Sequence, residues 1–153
     1  MANFVETEQI VVYQNVCCSQ VQVRGSVPIF WKQKGLQAII KLERNYELTN
    51  HVFLNHMKNL TDNYGFVICL NLMSKSRKDE QMIADAFENH LKTNVLNNVG
   101  YEYFDFHAVV QNQKYDKTNV VLYKIQPALE SFGYHFENSE MTTAIQEQKG
   151  TTK

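Results

Sequence analysis

The strongest constraint on the fold is Phe66-Val67-Ile68-Cys69-Leu70-Asn71-Leu72-Met73, a short and nearly continuous apolar run set between two stretches of helical periodicity. A strand that is apolar on both faces must be covered on both, as in a parallel or mixed sheet flanked by helices. Upstream, Leu48, Val52, Phe53, Met57 and Leu60 recur close to the helical period between Glu47 and Leu60, and Tyr64-Gly65 ends the pattern. Downstream, a polar loop from Ser74 to Lys78 precedes Ile83, Phe87 and Leu91, whose four-residue spacing predicts a second helix. Leu122, Ile125, Leu129 and Phe132 predict a third, which Pro127 is expected to kink or shorten. Helices alternating with strands predict an α/β architecture with a mixed, partly parallel sheet flanked by helices.

Three further segments read as strands. From Phe4 to Tyr13 the chain alternates, with Phe4, Glu6, Glu8, Ile10 and Val12 on one face and a polar first half. Residues 19–24 alternate as Ser-Gln-Val-Gln-Val-Arg, and Gly25 and Pro28 punctuate the chain before Phe30-Trp31. In Tyr101-Glu102-Tyr103-Phe104-Asp105-Phe106-His107 the alternation puts Tyr101, Tyr103, Asp105 and His107 on one face, a strand ending at a polar pair. Residues 138–153 are polar and aperiodic, and are expected to be a mobile stub after one partial domain spanning 1–137. There is no internal repeat and no domain linker.

A net charge of -1 argues against a general nucleic-acid binder. No apolar run approaches the roughly 20 residues that span a bilayer, and Met1 is not followed by a secretory signal. Three cysteines, two of them adjacent at Cys17 and Cys18, make no disulfide framework and suit a reducing compartment, with the cytosol the simplest assignment. Asn59-Leu60-Thr61 matches a glycosylation acceptor, which without a secretory signal reads as chance. Neither His-Glu-x-x-His nor Cys-x-x-Cys occurs, nor a Gly-rich nucleotide loop, so no metal or cofactor is expected.

One spacing invites a catalytic reading. Cysteine-dependent phosphatases need a thiolate at the base of a loop whose N–H groups surround phosphate, and an arginine six positions on. Cys18 and Arg24 have that spacing, but Gln-Val-Gln-Val between them is a strand pattern that points successive amides sideways. Glu6 and Glu8 could form an acid/base pair or organise basic residues, and a structural role is favoured because carboxylates facing an anionic phosphate would repel it. Arg24 could contact phosphate or pair with Glu6 or Glu8. Asp105 and His107 are candidates for proton transfer or for orienting a partner. Phe30 and Trp31 could touch lipid or form a buried aromatic pair. The basic loop Ser74–Lys78, with Lys32, Lys34, Lys41 and Arg44, could attract an anionic membrane surface or simply be solvated.

The segments Asn3-Phe4-Val5-Glu6-Thr7-Glu8-Gln9, Ser19 to Trp31 with its Arg24-Gly25-Ser26-Val27-Pro28, Tyr64-Gly65 followed by Val67–Leu72, and Phe104-Asp105-Phe106-His107 together resemble the Sac-domain phosphoinositide phosphatases. The resemblance covers roughly residues 2 to 135, with Gln20 replacing the family's usual Phe. It implies the middle of a Sac catalytic domain, whose Cys-x5-Arg loop lies downstream of these segments, so that no residue of this chain is catalytic. Cys18 matches no catalytic position. Arg24, Glu6, Glu8, Asp105 and His107 become pocket-supporting candidates. The partners implied are a phosphoinositide lipid or anionic membrane surface, met through the parent protein, and the remainder of the Sac domain, with no nucleic acid. The parent is expected at a cytosolic membrane face, anchored to endoplasmic reticulum, Golgi or endosome, and this chain alone is expected to be inactive.

Overall fold

A computed structural model describes residues 4–33, 40–110 and 115–138. It divides into two compact units, one built from Ser26–Glu130 and the other from Phe4–Gly25 with residues 131–138.

After the hairpin strands β1 (Phe4–Tyr13) and β2 (Val16–Gly25) of the smaller unit, the larger unit opens with two short antiparallel strands, β3 (Trp31–Gln33) and β4 (Ile40–Leu42). Helix α1 (Tyr46–Tyr64) comes next. Asn45 starts it by accepting Leu48 N–H on its side chain at 3.2 Å, and Gly65 stops it at φ 74, a left-handed conformation that favours glycine. Strand β5 (Val67–Asn71), helix α2 (Lys78–Thr93) and strand β6 (Val99–Tyr103) then form a parallel pair joined by a helix. The apolar run is thus the parallel strand that its composition demands. A one-turn helix α3 (Phe106–Val109), a 3₁₀ turn at Tyr115–Thr118 and helix α4 (Asn119–Phe132) complete it.

Alternation decides which side of β5 and β6 is covered. Cys69, Val99 and Tyr101 face a core centred on Phe53, Met57 and Phe87, in which the Phe53 and Phe87 rings meet edge to face at 5.7 Å. Ile83, one turn before Phe87 on α2, closes a second cluster with Ile29 and Ile40. Phe66, Leu70 and Leu72 alternate to the opposite face of β5 and stay 43%, 37% and 46% exposed, so that face of β5 is left partly open, while Glu102 of β6 is ion-paired with Lys124 of α4. A Cβ at Gly100 would lie 3.3 Å from the Phe66 ring, which would have to give by a few tenths of an ångström.

The smaller unit is a long hairpin of β1 (Phe4–Tyr13) and β2 (Val16–Gly25), with β7 (His135–Asn138) added to β2. Its two-residue turn holds Gln14 at φ 51, unusual for a residue with a side chain.

Two expectations are corrected. The strand expected over Tyr101–His107 ends at Tyr103, because Asp105 caps α3 by accepting Ala108 N–H at 2.9 Å. Alternation continues through the sequence, but a capping aspartate turns the backbone into a helix. The third helix runs unshortened through Pro127, anchored by Val121 and Ile125, which are buried one turn apart. Of the expected stub, Asn138 is instead the last residue of β7, and residues 139–153 lie outside the described residues, as do Asn3 and Lys34.

Candidate functional site

The polar groups of the larger unit gather where β5 and β6 end, the position at which open parallel sheets bind ligands. Asn71, buried at the end of β5, accepts Met73 N–H on its side-chain oxygen at 2.9 Å and donates to the Tyr101 hydroxyl at 2.9 Å. Tyr101 in turn donates to Glu88 of α2 at 2.8 Å. Tyr103 donates to Met73 C=O at 3.1 Å. Glu80 accepts Ser74 N–H at 2.7 Å, and Asp105 accepts Lys75 N–H at 3.0 Å and the Ser74 hydroxyl at 3.3 Å. Ser74, only 2% exposed, also shares a bond with Ser76 at 2.8 Å. The loop after β5 is therefore held from β5, β6, α2 and the start of α3 together.

The electrostatics come from these bonds. The Ala108 N–H keeps the Asp105 carboxyl below the usual range, and the donations from Lys75 N–H and the Ser74 hydroxyl help it to prevail over the opposing effect of burial. Burial raises Tyr103, and the Asp105 charge raises it further. Burial would raise Glu88, but hydrogen bonds from Tyr101 and Lys92 and the charges of Lys92 and Lys75 bring it below its ordinary value. Tyr101 is raised well above the usual phenol, by burial first. The Lys75 ammonium lies 4.0 Å from the centre of the Tyr103 ring. Arg77 pairs with Glu80 at 3.0 Å and with Asp79 at 3.4 Å, so its charge is neutralised locally.

Asp105 thus serves as helix cap and loop clamp, a use the sequence did not single out. His107 stands exposed on the single turn of α3. Asn71, Ser74, Glu80, Glu88 and Tyr101 were missed as members of this cluster. The one signal available was Asn71, a polar residue inside an otherwise apolar run.

Glu6, Glu8 and Arg24 belong to the hairpin unit. The register sets Glu6 opposite Val23 and Glu8 opposite Val21, whereas Arg24 is opposite Val5. Cross-strand partners share a face, so Arg24 lies on the face away from both glutamates and is not placed to pair with either across the hairpin. Cys18 and Arg24 are at opposite ends of the unbroken strand β2. Six residues of strand span about 20 Å, too far for one phosphate to be held by both. Cys69 faces the core, and burial pushes its thiol up to about 11, which leaves it an inert packing group.

Trp31 donates its indole N–H to Val27 C=O at 3.3 Å and packs against the Ile29, Ile40 and Ile83 cluster, while Phe30 is 38% exposed. No helix among the described residues is long and apolar enough to cross a membrane.

The fold and the strand-end cluster define an α/β protein whose polar cluster sits at the ends of a parallel strand pair. The family model described as the SacI homology domain matches residues 1–111, and the chain belongs to that family. It is 35% identical to synaptojanin-1 of Mus musculus over 158 residues, an alignment covering 100% of this chain and 10% of that protein. It is 33% identical over 144 residues to inositol-1,4,5-trisphosphate 5-phosphatase 1 of Schizosaccharomyces pombe, covering 92% of this chain and 13% of that protein. Against polyphosphatidylinositol phosphatase INP53 of Saccharomyces cerevisiae the identity is 31% over 157 residues, covering 98% and 14%. The two yeast relatives are inositol phosphate and phosphoinositide phosphatases by name, and the chain spans about a tenth of the length of the relatives it matches.

Proposed function

We propose that this chain is the scaffold portion of a phosphoinositide phosphatase, a hydrolase that removes a phosphate monoester from the inositol ring of a phosphatidylinositol phosphate such as phosphatidylinositol 4-phosphate. In this reading the reaction passes through a cysteinyl-phosphate intermediate whose nucleophile lies outside the chain, and the 153 residues alone are inactive. The observation that carries it is the combination of family membership with cysteines unsuited to the chemistry: Cys18 sits in a regular ladder far from Arg24, and Cys69 is buried and protonated. A thiol without a curled amide loop and a nearby arginine has neither the lowered pKa nor the phosphate grip that the reaction needs.

The whole protein acts at a cytosolic membrane face, held peripherally or through an anchor in the endoplasmic reticulum, Golgi or endosome membrane. Its Sac domain supplies the missing cover for the β5–β6 face. The half-exposed Phe66, Leu70 and Leu72 support that reading, because parallel strands are ordinarily covered on both sides. A second reading, a non-catalytic Sac-like module that binds lipid or protein, shares the same scaffold and differs only in the polypeptide downstream of it. Reading the transcript through the codon for Lys153 separates them: an in-frame Cys-x5-Arg-Thr loop is expected, and a stop codon at that point overturns the enzyme reading in favour of the module.

A further inference from the structure

We propose that the loop after β5 is a preformed phosphate-contact site in which Lys75 supplies the charge and Asp105 sets its position. The ligand class is a phosphate monoester, in this protein the phosphate of a phosphoinositide headgroup, so the proposal rests on the reading above and adds to it a named contact.

The loop lies at the carboxyl end of the parallel strands, where the sheet directs a ligand. Its backbone is immobilised by side chains rather than by further secondary structure. Asn71 and Tyr103 hold Met73, Glu80 holds Ser74 N–H, and Asp105 holds Lys75 N–H. A loop fixed in this way loses little conformational freedom when it binds, which is the condition for affinity from few contacts.

The charges sort unequally across the site. Arg77 is taken up by Asp79 and Glu80. Glu88, the carboxylate that feels the Lys75 charge, is already hydrogen-bonded by Tyr101 and ion-paired with Lys92. Asp105 is occupied by donors from Ser74, Lys75 and Ala108. Lys75 is exposed and forms no ion pair within 4.0 Å among the described residues, and the Tyr103 ring beneath its ammonium holds the side chain in place without neutralising it. Asp105 acts through Lys75 and is a positioning residue, because it binds the Lys75 backbone and not the ligand.

The test uses the full 153-residue chain with inorganic phosphate and three sets of phosphatidylcholine vesicles: plain, with phosphatidylserine, and with phosphatidylinositol 4-phosphate. The Lys75 side-chain resonances, shifted by the Tyr103 ring current, report the contact directly. Saturable movement of those resonances is expected with vesicles carrying phosphatidylinositol 4-phosphate. An equal response to inorganic phosphate would assign the contact to phosphate itself, and a response to the lipid alone would assign it to the headgroup, either outcome supporting the site. Lys75→Gln is expected to weaken binding to those vesicles about fivefold, with Lys75→Arg restoring it and the melting temperature unchanged. Asp105→Asn should displace the Lys75 resonances from their ring-shifted positions and weaken binding although Lys75 is intact. Resonances that do not move, Lys75→Gln binding as the unsubstituted chain does, or equal losses with Lys41→Gln and with phosphatidylserine vesicles would each overturn the proposal. None of these results would touch the enzyme reading, which the transcript decides separately.

Discussion

At Asp105 one carboxylate serves two neighbours, Oδ1 capping α3 and Oδ2 holding Lys75 N–H and the Ser74 hydroxyl. Asp105→Ala is therefore expected to cost about 1–2 kcal/mol in urea denaturation, the range of a lost helix cap. Its pKa is lower in the folded chain than in the unfolded one. Its contribution is thus complete above the unfolded value near ~3.9 and is lost as the pH falls through the folded value, so the gap between the two proteins should close only in acid. His90 has the opposite chemistry. Its ring stacks on Tyr46 at 4.4 Å and on Phe53 at 5.2 Å, its Nδ1 meets Asn50 Oδ1 at 2.9 Å, and burial lowers its pKa. The folded state must take up a proton less readily than the unfolded one, so stability is full above about pH 6.5 and declines below it. His56, also buried with a lowered pKa, adds to the same slope. Urea midpoints at about pH 7.5 and pH 5.5, on either side of the unfolded value, check this. His90→Phe, which keeps an aromatic in the stack, should reduce the acid loss without abolishing it, and an unchanged slope would place the titration elsewhere.

At the scale of elements, the α1–α2 contact carries the larger unit. Phe53 is fully buried, and Phe53→Ala is expected to cost about 3–5 kcal/mol, whereas Leu48→Ala on the exposed face of the same helix should stay within about 0.5 kcal/mol. Equal losses at the two positions would mean that the helix is not seated as described. These elements were legible because their signals are local: Phe53 and Met57 mark the inner face of α1 by spacing alone, and the Val67–Asn71 run reads as a strand by composition, although only its Cys69 face packs on the core. The ends of β6 were not legible. Tyr101 to His107 alternates like a strand throughout, and what ends the strand is a cap made by one aspartate. The cluster at the strand ends was still less so, since Ser74 meets Asp105 and Asn71 meets Tyr101 across 31 and 30 residues of sequence. The hairpin register also decided what sequence left open for Arg24, because alternation on separate strands does not say which faces coincide until the strands are paired.

At the scale of the whole molecule, apolar surface remains uncovered within each unit. Among the described residues strand β1 is a ten-residue edge whose charges, Glu6 and Glu8, lie in its first half, while Ile10, Val11, Val12 and Tyr13 in the second half are 57–71% exposed. Edges of that kind recruit other strands. The chain is expected to bind a hydrophobic dye and to self-associate at micromolar concentration, and Val11→Lys should reduce the association as measured by light scattering. Uncovered strand and sheet surface, a regular ladder where a catalytic loop would have to curl, and a clamped loop at the ends of β5 and β6 are the features behind the proposal of a scaffold whose chemistry is supplied by further chain. Phosphate release from vesicles containing phosphatidylinositol 4-phosphate tests that account most directly, measured for this chain and for the product of the same transcript read in frame beyond Lys153. Background release from the chain and turnover by the longer product are predicted. Release by the chain itself that disappears with Cys18→Ser, or silence from the longer product, would contradict it.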